Sequence, residues 1–330
     1  MLTRREALSL IGAAALTGCQ RAPETVTREW LIFTTLLRVT LSARDRDTAA
    51  ELCNGVHRQL LVTGSDLYGF GAGELGSANT LLADGDSPQL SPRLARILRD
   101  ADQWRRRSAY RFDPAVGGLI ALWGLDDLID AEVPRLPDAQ QLEQALDARA
   151  SGYSVSERGV LSAGNPPPII DLGAIAKGVL LGEVMDMLQD SPCQRVLIDL
   201  GGDIGVHANS PDETFRIAVA NPSGARPEIA LELLAGEYVM TSGDYARYVE
   251  IDGQRYQHIL DPTSGWPVPP AAATVICDDP VQADASATAL VVAGAAGFDA
   301  VCDAMGVNKA LLIDNAGVMH ATPEIRKRTL

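Results

Sequence analysis

The fold is decided by the stretch Ile169-Ile170-Asp171-Leu172-Gly173-Ala174-Ile175-Ala176-Lys177-Gly178 of the 330-residue chain. Its two isoleucines predict a short strand, and the apolar spacing from about Ala174 to Leu188 predicts a helix. A second apolar run, Val196 to Leu200, predicts the next strand. The resulting β-α-β pattern usually places ligands at the carboxyl ends of its strands.

Asp171 stands where the predicted strand ends and the helix begins. Gly173 and Ala174 leave backbone amides uncovered at the helix N-terminus, where free N–H groups and the helix dipole attract phosphate. Lys177 lies about one turn further on. This arrangement suits a pyrophosphate, and the alternative is an N-cap aspartate followed by a solvated lysine.

Outside this β-α-β unit, most predicted helices precede it in the chain and most predicted strands follow it. Helices are predicted over residues 47–61, 91–104 and 134–150, and strands over residues 30–41, 215–219, 229–234, 245–251 and 272–277. The arginines at 105–107 are interpreted as a solvated helix end, with a phosphate contact as the alternative. We expect one compact α+β domain over residues 30–330 with mixed sheets and flanking helices, and a two-lobed arrangement remains open.

Two polar motifs beside glycines follow the predicted β-α-β unit. Gly201-Gly202-Asp203 lets a ligand approach the backbone closely, although an ordinary tight turn has the same composition. Thr241-Ser242-Gly243-Asp244 concentrates small hydrogen-bonding side chains before a predicted strand, and a capped turn is its alternative. Both motifs are candidates for ligand binding.

Asp284 and Thr288 stand four residues apart among alanines, so a helix presents both side-chain oxygens on one face. Oxygen ligands alone favour magnesium or calcium over zinc. Such a site needs further oxygens, and a carbonyl from the 173–176 turn and ligand phosphates are the candidates. The alternative is structural: Thr288 bonds back within its helix and Asp284 caps the helix N-terminus.

His258 lies on an alternating strand just before the turn Asp261-Pro262-Thr263-Ser264-Gly265. A single histidine is most often a structural residue. Because this one stands beside a turn rich in oxygen atoms, a catalytic or ligand-binding role is an equal alternative.

The first residues read as an export signal. Arg4-Arg5 precedes an apolar run from Leu8 to Leu16, which is too short to span a bilayer as an ordinary helix. Leu16-Thr17-Gly18-Cys19 resembles a bacterial lipobox, so we expect cleavage of residues 1–18 and a lipid on Cys19. The paired arginines suit a twin-arginine or a general secretory signal. Residues 19–29 would form a tether that holds the protein to a membrane in the bacterial periplasm.

The charge of the chain excludes some partners. Removing residues 1–18 takes away Arg4, Arg5 and Glu6, a net charge of +1, so the formal charge changes from −15 to −16. An acidic protein of this kind is not expected to bind nucleic acid, and its membrane contact would come from the lipid. The remaining cysteines, at 53, 193, 277 and 302, form no C-x-x-C pair. They are therefore interpreted as buried thiols or as disulfide partners of undetermined connectivity.

Taken together, the motifs resemble ApbE-type FAD:protein FMN transferases, in that family's order, over roughly residues 30 to 315. They are Asp171 to Gly178, Gly201-Gly202-Asp203, Thr241-Ser242-Gly243-Asp244-Tyr245, His258 to Gly265, and Ala283-Asp284 with Thr288. Arg111-Phe112-Asp113-Pro114, Leu122-Trp123-Gly124, and Glu74-Leu75 with Asn79 resemble the family's N-terminal part. The resemblance implies a single ApbE-like, T-fold-like domain.

The resemblance also implies a reaction. Such enzymes move FMN from FAD to a threonine or serine hydroxyl of an acceptor flavoprotein, forming a phosphoester and releasing AMP with the help of magnesium. By motif, His258 and Asp171 would be catalytic, and the Ala174 carbonyl, Asp284 and Thr288 would hold Mg²⁺ or Ca²⁺. The residues implied to bind FAD are Arg111, Phe112, Asp113, Asp171, Lys177, Gly201, Gly202, Asp203, Thr241, Ser242, Gly243 and Ile259.

The chain departs from the family pattern at three places. Phe33-Thr34-Thr35 replaces the usual Met-Gly-Thr, Tyr68-Gly69-Phe70-Gly71-Ala72-Gly73 replaces a Ser-x-aromatic pattern, and Ala287 stands where many relatives have an aspartate. Two other functions therefore stay open. One is an exported FAD-binding protein for storage, electron donation or maturation of a respiratory enzyme, and the other is a metal-dependent FAD pyrophosphatase.

Overall fold

Residues 22–126, 136–219, 229–243 and 248–330 are described by the structure, a computed structural model. The predicted signal segment and Cys19 lie outside these residues, as do Asp244 and Tyr245.

The described residues form strands and helices that are numbered in chain order. The strands are β1 Glu24–Ile32, β2 Thr35–Ala43, β3 Tyr153–Val155, β4 Leu161–Ala163, β5 Cys193–Leu200, β6 Asp203–Ala208, β7 Thr214–Val219, β8 Ile229–Leu234, β9 Tyr238–Gly243, β10 Tyr248–Ile251, β11 Gln254–Gln257, β12 Ala272–Cys277, β13 Ala310–Ile313 and β14 Met319–Ala321. The helices are α1 Arg46–Gly64, α2 Glu74–Ala83, α3 Pro92–Arg107, α4 Gly117–Leu122, α5 Ala139–Ser151, α6 Ala176–Gln189, α7 Pro280–Met305 and α8 Pro323–Arg326.

An eight-stranded sheet with the order β1-β2-β5-β6-β9-β12-β13-β14 forms the centre of the protein. All of its described pairings are antiparallel. Helices α1, α6 and α7 cover one face, and the β7–β8 hairpin contributes to a second apolar cluster. Five successive residues of β12, Ala272 to Ile276, are buried. Successive side chains of a strand point to opposite faces, and both faces are covered here, since Val275 belongs to the first cluster and Ile276 to the second. Both faces of the sheet are therefore covered by apolar side chains.

A third apolar cluster joins α4 and α5 to the β10–β11 hairpin and includes Leu119, Trp123 and Val249. Trp123 donates its indole N–H to the Gly265 carbonyl at 2.9 Å, which ties the turn after His258 to α4. The α+β class is therefore confirmed, with a smaller lobe built beside the main sheet.

The prediction of one strand over residues 30–41 is wrong, because a hairpin turn interrupts it. Phe33 and Thr34 both adopt left-handed backbone angles, with φ of 49° and 61°, which joins β1 to β2 as a two-residue hairpin requires. Neither residue is a glycine, so the usual signal for a turn is missing from the sequence. β1 also begins at Glu24, so residues 24–29 belong to the sheet and not to the predicted tether.

The predicted strand at Ile169-Ile170 is also absent, so the β-α-β unit is corrected to a loop, helix α6 and strand β5. Asn79 explains how Ile170 is buried without a neighbouring strand. Its amide accepts a hydrogen bond from the Ile170 N–H at 2.9 Å and donates to the Ile170 carbonyl at 2.8 Å. It also donates to the Gly69 carbonyl at 2.9 Å. One side chain thus satisfies the backbone that a strand partner would otherwise satisfy.

Several local predictions are confirmed. Ser91 caps α3 by accepting a hydrogen bond from the Leu94 N–H at 3.2 Å, and Pro92 occupies the first turn. The strands predicted over 229–234 and 272–277 have those bounds. The arginines at the end of α3 were predicted to be solvated. This prediction is wrong for Arg105, which is buried, and is confirmed for Arg106 and Arg107, which are exposed.

Helix α7 is long and apolar enough to cross a membrane by length and composition, but half of its most apolar window is buried inside the protein. It packs on β9, β12 and α6, which makes it the core helix of this domain. Gly294 interrupts its helical geometry with φ 59° and ψ −169°. The N-terminal part of α7, which carries Asp284 and Thr288, therefore ends before this kink.

Replacing Asn79 by leucine should lower the free energy of unfolding by about 3 kcal/mol, because three buried backbone hydrogen bonds lose their partner at similar volume. Urea unfolding of the purified protein measures this change. Asn315→Leu, in an exposed turn, is the matched control and should stay within about 0.5 kcal/mol of the wild type. Equal stability of the Asn79 and Asn315 variants would contradict the role given to Asn79.

Candidate functional site

The sheet register brings three predicted motifs to one end of the main sheet. Leu200 pairs with Asp203 across the Gly201-Gly202 turn, so this turn closes the β5–β6 hairpin at that end. Strand β6 pairs with β9 at Ile204 and Gly205. Residues 241–243 of β9 lie past this pairing and extend beyond the Gly201-Gly202 turn. The alternative interpretation of this motif as a capped turn does not hold for residues 241–243, which form the end of strand β9. Gly201 and Gly202 have φ of 67° and 95°, which is why glycines occupy this turn.

Asp203 connects β6, β9 and helix α6. Its Oδ1 accepts a hydrogen bond from the Thr241 N–H at 2.7 Å, and its Oδ2 forms an ion pair with the Lys177 Nζ. The Asp203 side chain is buried, whereas that of Lys177 is about one-third exposed. The lysine therefore neutralises a buried carboxylate while part of its side chain still faces the surface.

Asp284 connects α7 to the N-terminus of α6. Its Oδ2 accepts a hydrogen bond from the Gly178 N–H at 2.9 Å, in the first turn of α6. A Cβ atom on Gly178 would lie 2.5 Å from the Pro280 carbonyl oxygen, so a glycine is needed for the two helices to approach this closely. Asp284 thus caps a neighbouring helix, and its own helix is capped by Asp279.

This geometry corrects the structural alternative for the pair in α7. Asp284 does not cap the N-terminus of its own helix, and the Thr288 hydroxyl forms a hydrogen bond with the Ser242 hydroxyl at 2.9 Å. The two side chains therefore face α6 and the end of β9, which are the elements that the predicted ligand site requires.

Burial, together with the negative charge of Asp203, raises the pKa of Asp284 to about 8. The Lys177 charge and the Gly178 N–H act in the opposite direction without compensating. At neutral pH the carboxyl group therefore tends to hold its proton in the metal-free protein. A bound cation would favour the ionised form, because a positive charge beside a carboxyl group lowers its pKa.

The residues predicted to hold a metal ion fit such a group by their chemistry. Only Oδ2 of Asp284 accepts a hydrogen bond within the described part of the chain, so Oδ1 remains available. The Gly178 N–H donates to Asp284, and no hydrogen bond reaches the Ala174 carbonyl from a described residue. No group of three His, Cys, Asp or Glu side chains suited to a metal ion occurs in the described ranges. A hard cation would therefore depend on backbone and ligand oxygens as well.

Asp171 begins the turn that leads into α6. Its Oδ2 accepts a hydrogen bond from the Gly173 N–H at 2.9 Å, and its N–H donates to the Pro114 carbonyl at 2.8 Å. Helix α6 begins at Ala176, two residues later than predicted, because residues 173–175 form this turn. Gly173 is exposed, so the turn is open to a ligand on the outside of the protein.

His258 directly follows β11 and is half-buried. Both of its neighbours are fixed: Gln257 donates to the Pro269 carbonyl at 2.9 Å, and the Ile259 carbonyl accepts from the Val268 N–H at 3.1 Å. The segment containing Val268 leads into β12, whose first residue pairs with Gly243. His258 is thereby tied to the same end of the sheet. Ile259 is buried in the main core. Its predicted contact with FAD stays a prediction.

The segment Arg111-Phe112-Asp113 lies largely inside the protein. Phe112 is buried in the core, and the Asp113 carboxylate is enclosed by Arg105 and Arg149. The predicted contact of this segment with FAD stays a prediction. Arg111 is half-buried and lies against Gly297, just beyond the kink of α7.

Two residues that shape this site, Gly178 and Thr274, were not predicted from the sequence to have a role in it. Gly178 was part of a motif, but its need to lack a side chain depends on Pro280, which is about 100 residues away. Thr274 of β12 forms a hydroxyl–hydroxyl hydrogen bond with Thr241 at 3.1 Å. A threonine at a buried position of an otherwise apolar strand was the available signal.

Comparison with known proteins gives consistent matches. A model of the ApbE family matches residues 55–311. The chain is 32% identical to the FAD:protein FMN transferase of Rhodobacter capsulatus, over 98% of this chain and 63% of that protein. It is 26% identical to the enzyme of the same name from Salmonella typhimurium, over 89% of this chain and 87% of that protein. It spans less than two thirds of the Rhodobacter protein and of a relative from Vibrio cholerae, at 63% and 62%.

Solved structures show the same fold. The ApbE protein of Thermotoga maritima superposes with a TM-score of 0.82 at 24% identity, covering 93% of this chain and 100% of that one. The apo form of the flavinyl transferase ApbE from Pseudomonas stutzeri superposes with a TM-score of 0.77 at 23% identity, covering 94% and 99%. The predicted fold is thereby confirmed.

The metal-free protein should lose stability as the pH rises towards 8, relative to Asp284→Asn. The pKa of Asp284 is raised in the folded state. The protonated side chain therefore contributes its full stabilisation at a pH below the ordinary pKa of an aspartate. This stabilisation is lost as the pH rises from there through about 8. The asparagine does not titrate and can still accept the Gly178 hydrogen bond. The unfolding free energy of the wild type minus that of the variant should fall by at least about 2 kcal/mol between about pH 5 and about pH 9. Urea unfolding in EDTA measures it, and a difference that does not change with pH would contradict the buried placement.

Proposed function

The chain belongs to the ApbE family, and from this membership we propose that it is an FAD:protein FMN transferase. Its substrates would be FAD and an exported acceptor flavoprotein that presents a threonine or serine hydroxyl. The observation that carries the proposal is the convergence at one sheet end of Asp284, Lys177 and Asp203 around the N-terminus of α6. A helix N-terminus with a nearby lysine favours the charge of a diphosphate.

The proposed reaction exchanges a phosphoanhydride bond of FAD for a phosphoester bond on the acceptor. The acceptor hydroxyl oxygen bonds to the phosphorus of the FMN half of FAD, and the bond to the bridging oxygen of the diphosphate breaks. AMP leaves with that oxygen, and the hydroxyl proton passes to a base. The partial positive charge at the start of α6 would offset the negative charge that develops on the phosphate oxygens.

We propose that His258 accepts or directs the hydroxyl proton, because an imidazole side chain can take up and release a proton. Its fixed neighbours, Gln257 and Ile259, would hold its backbone while the ring turns towards the acceptor. Asp171 would orient the turn that receives the diphosphate, since its carboxylate already holds the Gly173 amide.

We propose that the reaction uses Mg²⁺, with Ca²⁺ as the alternative, held by the Ala174 carbonyl, Asp284 and Thr288. When bound, such an ion neutralises diphosphate charge and helps AMP to depart. The role of Asp284 is supported by its available Oδ1 and by its position at the start of α6. Because Thr288 bonds to Ser242, the end of β9 would help to orient its hydroxyl.

The proposed location is the bacterial periplasm, with the protein anchored to a membrane through a lipid on Cys19. The support is the apolar run from Leu8 to Leu16 and the Leu16-Thr17-Gly18-Cys19 sequence. Periplasmic placement agrees with an acceptor that is itself exported.

The proposal is tested by incubating the protein from about residue 22 onward with FAD, magnesium and a candidate acceptor. Mass spectrometry should find FMN on a threonine or serine of the acceptor, together with AMP in equal amount. AMP and free FMN without acceptor labelling would instead identify an FAD pyrophosphatase. Intact FAD that stays bound would identify a storage or electron-transfer protein, which the altered Phe33-Thr34-Thr35 segment leaves as the alternative.

Asp284→Ala should reduce turnover by at least about 100-fold at limiting magnesium, because the ion loses a charged ligand. Asp278→Ala, an exposed aspartate close to the start of α7, is the matched control and should keep wild-type turnover. Turnover is followed as AMP release at several magnesium concentrations. A magnesium dependence that is the same in both variants would reject Asp284 as a ligand.

His258→Ala should keep FAD affinity and slow transfer by about 100-fold or more, because proton transfer typically contributes that much. Equilibrium titration of flavin fluorescence measures binding, and single-turnover labelling measures transfer. His207→Ala, in β6, is the matched control. Loss of FAD binding in His258→Ala would make this residue a binding element and not the base.

A further inference from the structure

A second site lies in a cavity of about 640 Å³ formed by the C-terminal ends of α3 and α5 and the β3–β4 hairpin. We propose that this cavity binds a small organic carboxylate, through Arg105 and Arg149 and against the ring of Tyr110. None of the residues proposed for the transferase site lines it. The inference therefore goes beyond the proposed function and does not depend on it.

The charges around the cavity leave one positive charge without compensation. The Asp113 carboxylate, which is fully buried, lies 2.8 Å from the Arg105 Nε and 2.7 Å from the Arg149 Nε. Two guanidinium groups thus share one carboxylate. On the rim, Asp102 lies 2.6 Å from the Arg106 Nη2 and 3.5 Å from the Arg105 Nη1, so three guanidinium groups in all face two carboxylates. A charge that is largely removed from water is costly unless it is paired, so the excess at Arg105 and Arg149 favours an anion.

The cavity is also rich in hydrogen-bond donors. Arg149 uses only its Nε towards Asp113, and its two Nη groups donate to no residue in the described ranges. The Arg149 side chain is nevertheless only 14% exposed. Thr263 adds a hydroxyl group to the lining, and Ser154 and Ser162 add two more from the β3–β4 hairpin. The free edge of a guanidinium group is the geometry that receives a carboxylate in a bidentate manner.

Tyr110 supplies an apolar surface beside these donors. Its ring centroid lies 4.9 Å from the Arg105 Cζ and 5.9 Å from the Arg149 Cζ, and the residue is 46% exposed. Tyr110 and the preceding Ala109 both have positive φ, of 63° and 51°. Left-handed angles at two successive non-glycine residues cost free energy. Here they turn the ring towards the cavity.

Charge distinguishes a carboxylate from a phosphate ester. The excess at Arg105 and Arg149 is one positive charge, which a carboxylate balances. A phosphate monoester carries about −1.5 to −2 at neutral pH and would leave the cavity negative. The volume lies within the range of small-molecule sites, about 300–1,000 Å³. A planar acid that stacks on Tyr110 while its carboxylate meets Arg149 satisfies both features.

Benzoate is the probe, and isothermal titration calorimetry on the whole chain without FAD is the measurement. We expect saturable binding of one benzoate per protein. Benzamide has the same ring without the charge and should bind at least about tenfold more weakly, as should inorganic phosphate. No saturable binding of benzoate, or equal binding of benzoate and benzamide, would overturn the proposal.

Two variants locate the site. Arg149→Lys keeps the charge beside Asp113 but loses the planar guanidinium, so benzoate affinity should fall at least about tenfold. Arg99→Lys, on the exposed side of α3, is the matched control and should bind as the wild type does. Tyr110→Leu tests the stacking surface at an exposed position and should also weaken binding. Circular dichroism confirms folding of each variant, and unchanged affinity in both Tyr110→Leu and Arg149→Lys would overturn the assignment.

Discussion

The hydrogen bond from the Gly178 N–H to the Asp284 carboxylate is the contact on which the site depends. It joins the first turn of α6 to the first half of α7, two helices that both pack on the same face of the main sheet. Because Gly178 has no side chain, α6 approaches α7 closely enough for the backbone amide to reach a buried carboxyl group. A helix N-terminus is thereby fixed beside an acidic group whose pKa burial has raised.

Around this contact, polar groups are held by elements that are far apart in the sequence. Asp203 joins Lys177 to the end of β9, and Ser242 of β9 joins Thr288 of α7. Asn79 fixes the backbone just before Asp171, where the turn into α6 begins. Each of these groups has a protein partner before any ligand binds. Such preorganisation reduces the cost of ordering the site when a charged ligand arrives.

Local sequence signals predicted the elements that depend on local physics. The cap at Ser91, the strand at residues 272–277 and the spacing of Asp284 and Thr288 on one helix face all follow from neighbours in the chain. The predictions that were wrong concern residues whose contacts come from distant parts of the chain. Ile169-Ile170 resembles a strand, but Asn79 satisfies its backbone from another helix. Arg105 resembles a solvated helix end, but it is drawn inwards by Asp113. The turn at Phe33-Thr34 lacks the glycine or asparagine that normally signals left-handed geometry.

The whole site requires direct contact between the amide of residue 178 and the carboxyl of residue 284. Solution NMR of ¹⁵N-labelled, metal-free protein tests this contact by following the Gly178 amide during a pH titration. We expect this resonance to move as the pH passes through about 8, the pKa of its acceptor, and the movement to disappear in Asp284→Asn. A Gly178 resonance that ignores both the pH and the substitution would contradict the contact and the site built around it.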